Sequence, residues 1–361
     1  MSRSIKFPSQ KEFIVLVALM MALVALAIDM MLPALPQIGK ELGVVKSNDN
    51  QLIISLLFLG IAFGQLVYGP LSDSYGRKPS IFIGFTLFLI GCFISLFRHS
   101  LELMLVGRFI QGFGLAGPRI ISVALVRDRF GGEEMAKVMS VVMAIFIIVP
   151  IIAPALGQIV LSFTVWNYIF VLFIVYALFL MIWFGYRMPE TLTKEKTHKF
   201  SIRRIGKVIV EISKNRVSMG YTIASGFVSS LFLGYLNSSQ QLFQDAYQMG
   251  DSYALIFALL AFAVGLGSFI NGQILVKRYG MKKMVRYASV SMFVLSSLFY
   301  IIVYSSNGVP ELWKLLSFFV LILFHNGILF GNLNSLAMEP LGHVAGIGST
   351  IVGALTTPSL F

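Results

Sequence analysis

The sequence has little charge, few acidic residues and almost no cysteine. Charged residues make up 12% of its 361 residues, whereas an ordinary soluble domain has about 25%. Its one cysteine, Cys92, excludes an intramolecular disulfide and a cysteine-based metal cluster. No nucleophile with a matching base and no phosphate-binding loop is recognisable. We therefore expect neither an enzyme nor a protein with a cofactor or a bound metal.

Long apolar runs fill most of the chain instead, and 57% of the residues are hydrophobic. A membrane-crossing helix needs about 20 mostly apolar residues, and the runs are too continuous for alternating barrel strands. We expect an all-α membrane protein with an eleventh span that begins near 344. The ten full spans are predicted at 13–35, 51–69, 79–97, 101–125, 138–162, 165–187, 217–240, 253–275, 286–305 and 312–336.

The net charge of +12 follows the predicted topology. With the N-terminus inside, 22 of the 28 lysines and arginines fall in the N-terminus or the inner loops, and four fall in outer loops. An excess of basic residues on the cytoplasmic side is typical of inner-membrane proteins. The pattern predicts a multi-pass protein of the cell inner membrane with a cytoplasmic N-terminus, and it explains the charge without nucleic acid.

One long loop divides the spans into two groups. We expect an N-terminal six-helix bundle at 1–187, a basic cytoplasmic linker at 188–216 and a C-terminal bundle at 217–361. The linker contains the amphipathic stretch IGKVIVEI, which we expect on the inner membrane surface. Tyr-Gly-x-Lys follows the second span of each group, at Tyr75 and at Tyr279. Such internal repetition is common in transporters.

Asp29 is the one acid well inside a predicted span, and a carboxylate there indicates a functional site. On the fourth span, Arg108 lies at a similar estimated depth, so a charge pair with Asp29 is geometrically possible. Arg119 follows three turns later on the same face, with Gln111 close to that face. Together these residues predict a polar wall of an interior cavity. The alternative is a static structural pair between Asp29 and Arg108.

The loop GPLSDSYGRKPS after the second span interrupts the apolar chain. Gly69 and Gly76 permit a tight turn and close helix approach. Asp73 and Arg77 pair with each other or with neighbouring helix ends, and the expected partner of Arg77 is Asp128. These residues predict a latch that holds two halves closed on the inside. The alternative is that Arg77 only sets the topology.

Three further patterns have competing interpretations. Gly112, Gly114 and Gly117 match a dinucleotide-binding spacing, but they lie inside a span and indicate close helix packing instead. The fifth span contains Pro150, Pro154 and Gly157, which predict either a functional kink or a plain one. A polar stripe on the tenth span lines a cavity or forms hydrogen bonds between helices; it contains His325, Asn326, Asn332 and Asn334.

The loop at 69–80 resembles the signature of the major facilitator superfamily, Gly-x-Leu-x-Asp-x-x-Gly-Arg-Lys. The stretches AIDMMLPALPQI, GRFIQGFGLAGPRIISVALVRDRF and PIIAPALG are similar to the bicyclomycin/chloramphenicol-resistance type of drug:proton antiporter. The resemblance implies a two-bundle fold and alternating access. It also implies that Asp29 and Arg108 serve proton coupling or substrate binding, and that Pro154 and Gly157 match part of an antiporter motif, Gly-Pro-x-x-Gly-Gly.

The resemblance further implies a monomer that exports small apolar or amphiphilic drugs in exchange for protons. Relatives have twelve spans, so we expect a complete first half and a second half truncated in the eleventh span. Two alternatives stay open. One is a metabolite:proton symporter on the same fold, and the other is a truncated remnant that transports nothing.

Overall fold

The computed structural model describes residues 7–192 and 202–357, and the regular structure there is helical. Nine segments in these ranges are long and apolar enough to cross a membrane, and Ile148–Phe163 is a shorter apolar helix. The helices are α1 Gln10–Asp29, α2 Leu35–Glu41, α3 Leu52–Tyr75, α4 Arg77–Leu96, α5 Leu101–Arg129, α6 Gly132–Phe163, α7 Asn167–Arg187, α8 Ile202–Lys214, α9 Arg216–Gln240, α10 Tyr253–Ile270, α11 Val276–Tyr279, α12 Met281–Ser305, α13 Leu312–Met338 and α14 Ala345–Leu355.

The predicted spans correspond to these helices, with α14 at the place of the eleventh. We refer to α1–α7 as the first half and to α9–α14 as the second half. All-helical membrane architecture is therefore confirmed for the described residues. The division into bundles at 187 and 217 and the truncation of the second half stay predictions.

The first span differs from the expected single helix over 13–35. α1 ends at Asp29, a short 3₁₀ turn follows at Leu32–Ala34, and α2 continues to Glu41. Pro33 and Pro36 explain the break because proline lacks the amide hydrogen that a continuous helix needs. As a result, Asp29 lies at an interruption within a longer apolar segment, Gln10–Glu41.

Glycines bring the central helices of the first half into close contact. A Cβ at Gly112 would collide with the carbonyl of Leu57 on α3. On the opposite side of α5, a Cβ at Gly114 would lie 2.6 Å from the carbonyl oxygen of Gly84 on α4. Small residues allow helix backbones to approach each other in a membrane. The interpretation of this glycine pattern as a packing surface is confirmed.

The amphipathic stretch of the linker forms α8. Val208 and Ile212 are buried against Ala337 and Leu341 of the second half and Ile351 of α14. Packing against protein removes these side chains from water as effectively as lipid does. Ile209 and Val210 on the same helix are exposed, and the expected position on the inner membrane surface stays a prediction.

The two halves touch near both ends of the helices. Gln65 of α3 donates a hydrogen bond of 3.0 Å to the Thr357 hydroxyl, and a Cβ at Gly69 would collide with the Thr350 side chain on α14. Near the opposite end of α3, the Asn237 amide donates to the Ser55 hydroxyl over 3.2 Å.

Candidate functional site

Asp29 is buried, with 4% of its surface exposed, and it is the last residue of α1. Within the described ranges, no ion pair or hydrogen bond to its carboxyl group is present. A carboxylate in such a position costs several kcal/mol unless it is protonated, paired or hydrated. The expected role of Asp29 in proton coupling or substrate binding stays a prediction.

Arg108 is fully buried, and the possible ion pair with Asp29 is absent among the described residues. Its Nε atom donates to the carbonyl oxygen of Ile53 over 3.1 Å, and Nη2 donates to that of Ala27 over 2.8 Å. The break after Asp29 explains the difference, because the carbonyl of Ala27 lies within reach of Arg108 in the last turn of α1. The planar guanidinium group thus ties together α1, α3 and α5.

Gln111 completes this polar cluster, as its position on the fourth span suggested. Its side-chain oxygen accepts a hydrogen bond of 2.9 Å from Nη1 of Arg108. Its amide nitrogen donates to the sulfur of Cys92 on α4 over 2.9 Å. Gln111 is fully buried, so it fixes the guanidinium group through a contact that water does not weaken.

Two tyrosines of the second half lie within electrostatic range of Asp29, and no sequence pattern pointed to them. Both Tyr235 on α9 and Tyr253 on α10 are buried. The Tyr253 hydroxyl lies 3.1 Å from that of Ser239. The Tyr235 hydroxyl is buried without a hydrogen-bond partner in the described residues. Asp29 therefore lies at the interface of the two halves.

α6 approaches the break in α1 at Gly157. A Cβ at this glycine would collide with the carbonyl oxygen of Met30 and lie 3.0 Å from Pro33. Pro150 and Pro154 lie inside α6, whose helical assignment continues through both. Gly157 therefore places α6 directly against the residue that follows Asp29.

The loop between α3 and α4 forms a compact ionic cluster. Arg77 pairs with Asp73 at 2.5 Å and with Asp128 at 3.0 Å, and it also donates to the Ser72 hydroxyl over 2.7 Å. Gly76 has a φ of 105°, a conformation that favours glycine. The expected contacts among these loop residues are present, while the latch function stays a prediction.

Glu190 belongs to the same cluster, and sequence reasoning missed it. Its two carboxylate oxygens accept hydrogen bonds of 2.9 Å each from the backbone amides of Arg77 and Lys78, the first residues of α4. An acceptor at this place satisfies amides that lack a partner within the helix. Thr191 adds a hydrogen bond of 3.0 Å to Asp128. No spacing pattern relates Glu190 to residues more than 100 positions earlier.

The polar stripe on α13 mainly forms hydrogen bonds with neighbouring helices. Asn332 and Asn271 exchange hydrogen bonds of 3.0 and 3.2 Å, and Asn326 donates to the carbonyl oxygen of Val228 over 2.8 Å. Asn334 accepts from the Ser225 hydroxyl over 3.3 Å, and His325 contacts the backbone of its own helix.

Arg119 was expected to continue the polar face of Arg108, but it lines a different space. This half-buried side chain borders a cavity near Asp73 and Arg77, at the loop end of α3. Between the two arginines, α5 carries small and apolar residues apart from Gln111. The predicted single polar wall is therefore divided between two places, one around Asp29 and one around Arg119.

The family model described as Major Facilitator Superfamily matches residues 17–357. The chain is 30% identical over 358 residues to a Bacillus subtilis (strain 168) protein named "Uncharacterized MFS-type transporter YdgK", covering 96% of this chain and 87% of that protein. It is 26% identical over 346 residues to the "Bicyclomycin resistance protein homolog" of Haemophilus influenzae (strain Rd), covering 95% and 85%.

Among solved structures, the crystal structure of a D-xylose-proton symporter has a TM-score of 0.71 to this chain. The match covers 97% of this chain and 87% of the symporter, at 14% sequence identity. At this identity the similarity concerns the fold alone.

Proposed function

Because the chain belongs to the Major Facilitator Superfamily, we propose that it is a proton-coupled exporter of small apolar or amphiphilic drugs. It acts by alternating access across the cell inner membrane, as a monomer with a cytoplasmic N-terminus. Support for drugs as the cargo comes from the similarity to the bicyclomycin resistance protein homolog, which extends over 95% of the chain. The comparisons indicate no catalytic activity.

The observation that carries the proposal is the buried carboxyl group of Asp29 at the interface between the halves. It has no ionic partner among the described residues, and the nearby Arg108 is held by other acceptors. A proton on Asp29 removes the cost of burying its charge. Drug and proton then compete for this region, so that binding of one releases the other.

The remaining site residues have positioning roles in this proposal. Arg108 and Gln111 shape the wall behind Asp29, while Pro150, Pro154 and Gly157 set the course of α6 against Met30. Asp73, Arg77 and Asp128, with the turn glycines Gly69 and Gly76, form the latch of the cytoplasmic side. The latch opens when the halves rock and α14 leaves α3.

The proton gradient supplies the driving force. One charge that moves down a membrane potential of 100 mV releases about 2.3 kcal/mol. Since a tenfold concentration ratio costs about 1.4 kcal/mol, one proton per drug sustains an outward drug gradient of roughly 50-fold by these two figures.

The proposal is tested by drug accumulation in pump-deficient cells that express the chain. The panel includes chloramphenicol, and each measurement is made with and without an uncoupler. We expect lower accumulation in expressing cells, and we expect both the uncoupler and Asp29→Asn to abolish the difference. Asp49→Asn is the matched control, since Asp49 lies in the short 3₁₀ turn before α3.

Three outcomes contradict the proposal. Export that persists in Asp29→Asn would show that proton coupling does not need this carboxyl group. Uptake instead of export identifies a symporter. Unchanged accumulation of every drug, with the protein present in the membrane, favours the remnant or a cargo that is not a drug.

A further inference from the structure

A cavity of about 310 Å³ lies between the two halves, away from Asp29 and close to the loop that follows α3. Its wall is formed by α3 and α5 of the first half and by α13 and α14 of the second half. Ligand pockets in proteins start at about 300 Å³, so the space suits a small solute. Residues that line it include Gln65, Gly69, Ile120, Val123, Phe330 and Thr350.

The charge of this cavity is predominantly positive. Arg77, Arg119 and Arg127 line it, and Asp73 is the acid among the lining residues. Arg77 and Asp73 are already paired with each other, and Arg77 also pairs with Asp128. This leaves the positive charges of Arg119 and Arg127 without an acidic partner in the described part of the chain.

Arg119 is the more informative of the two arginines. Arg127 is exposed, whereas Arg119 is half-buried in the wall between the halves. Within residues 7–192 and 202–357, its guanidinium group makes neither a hydrogen bond nor an ion pair. A guanidinium group offers five donors in a plane and binds carboxylate or phosphate oxygens in pairs. An unsatisfied one beside a cavity is a ready anion-binding group.

The rest of the wall determines what kind of anion fits. Apolar side chains border the cavity beside Arg119, among them Ile120, Val123 and Phe330. An inorganic ion leaves such apolar surface uncovered. A molecule that carries one oxyanion group on an apolar body covers both parts of the wall.

We propose that this cavity is a vestibule in which Arg119 binds the oxyanion group of a small amphiphile, such as a carboxylate or a phosphonate. The inference rests on the proposed export function and concerns the anionic amphiphiles among its cargo. Positive charges at the walls of a cleft attract anions and repel cations over several ångströms. The vestibule would therefore favour anionic over cationic amphiphiles at a place separate from Asp29.

A phosphate headgroup of an anionic lipid presents the same oxyanion chemistry. The cavity lies between α5 of the first half and α13 and α14 of the second, where the proposed alternating access would move a solute. This position favours a solute as the occupant. Competition with phosphatidylglycerol separates the two sources.

The test uses one fluorophore in three charge states: dansylglycine as the anion, dansylglycinamide as the neutral form and dansylcadaverine as the cation. Binding to the purified full chain is measured in an uncharged detergent, without any gradient. We expect dansylglycine to bind at least tenfold more tightly than the other two probes. Arg119→Gln should weaken the anion at least tenfold and change the neutral probe less than twofold.

Three controls keep the result specific. Arg119→Lys should retain part of the preference for the anion. Arg286→Gln removes one positive charge at an exposed position outside the cavity and should change nothing. Unaltered binding of the neutral probe to Arg119→Gln shows that the variant is folded.

Equal affinity for the three probes overturns the inference, as does an equal loss of all three in Arg119→Gln. Added phosphatidylglycerol should leave dansylglycine binding within twofold of that with phosphatidylcholine. Displacement by stoichiometric phosphatidylglycerol would assign the site to a lipid headgroup and overturn the cargo assignment.

The outcomes of this assay and of the export assay are independent. If Arg119-dependent binding is found but no drug is exported, the proposed function fails and the anion site stands. If export occurs without Arg119-dependent binding, the inference fails and the proposed function stands.

Discussion

Nη2 of Arg108 lies 2.8 Å from the carbonyl oxygen of Ala27, two residues before Asp29. This hydrogen bond connects α5 to the last turn of α1. The guanidinium group is held by backbone oxygens and by Gln111, so it has acceptors other than the Asp29 carboxyl group.

Replacement of Arg108 by lysine tests whether geometry or charge matters. A lysine keeps the charge but offers one nitrogen in place of a planar fork, so it cannot hold Ile53, Ala27 and Gln111 together. We expect Arg108→Lys to reduce drug export at least tenfold and to lower the melting temperature of the purified protein. Arg216→Lys, at an exposed position, is the matched control. Wild-type export by Arg108→Lys would show that charge alone suffices.

The close approach of α6 to α1 makes Gly157 sensitive to a single methyl group. A Cβ there would push against the Met30 carbonyl, and such overpacking costs about 1–3 kcal/mol. We expect Gly157→Ala to lower the melting temperature and to impair export. Gly220→Ala is the control, since no atom lies within 4 Å of its added Cβ. Equal behaviour of the two variants would show that α6 has room to move.

Contact between α3 and α14 can be fixed by a disulfide. A Cβ at Gly69 would lie 3.2 Å from that of Thr350, close to the Cβ separation of about 3.5–4.5 Å in disulfides. In a Cys92→Ser background, we expect Gly69→Cys with Thr350→Cys to crosslink on oxidation. Export should stop on oxidation and return with a reductant, because alternating access requires α14 to leave α3.

The single cysteine substitutions are the controls for this experiment. Neither can form the crosslink, so oxidation should leave their export unchanged. Continued export by the crosslinked protein, verified on a gel, would contradict the proposed opening between α3 and α14.

Glu190 stabilises the start of α4 through two backbone amides. Loss of a helix-capping side chain costs about 0.5–2 kcal/mol. We expect Glu190→Ala to lower the melting temperature, and we expect Glu190→Gln to do so less, since its amide oxygen still accepts one of the hydrogen bonds. Glu339→Ala is the comparison, because its exposed pair with Lys282 at 3.4 Å contributes at most about 1 kcal/mol. A larger effect at Glu339 than at Glu190 would refute this role.

The candidate site was only partly predictable. Asp29, Arg108 and Gln111 were recognisable because polar residues are rare in apolar spans. The partners of Arg108 were not, since two of them are backbone carbonyls and carry no sequence signal. The ion pair between Asp128 and Arg77 was predictable, because both residues lie at helix ends on the same side of the membrane. Tyr235 and Tyr253 were not recognisable as site residues, because aromatic residues are common throughout the chain.

The sequence by itself determined the helical type of the long apolar segments, the rarity of buried charge and the small residues where helices meet. These properties follow from local composition, because lipid demands apolar helices and close packing demands glycine. Only the tertiary structure decided that Glu190 caps α4, that α8 packs on the second half and that Arg119 borders a space separate from Asp29. Such contacts join residues far apart in the chain, and they depend on how helices are placed in three dimensions.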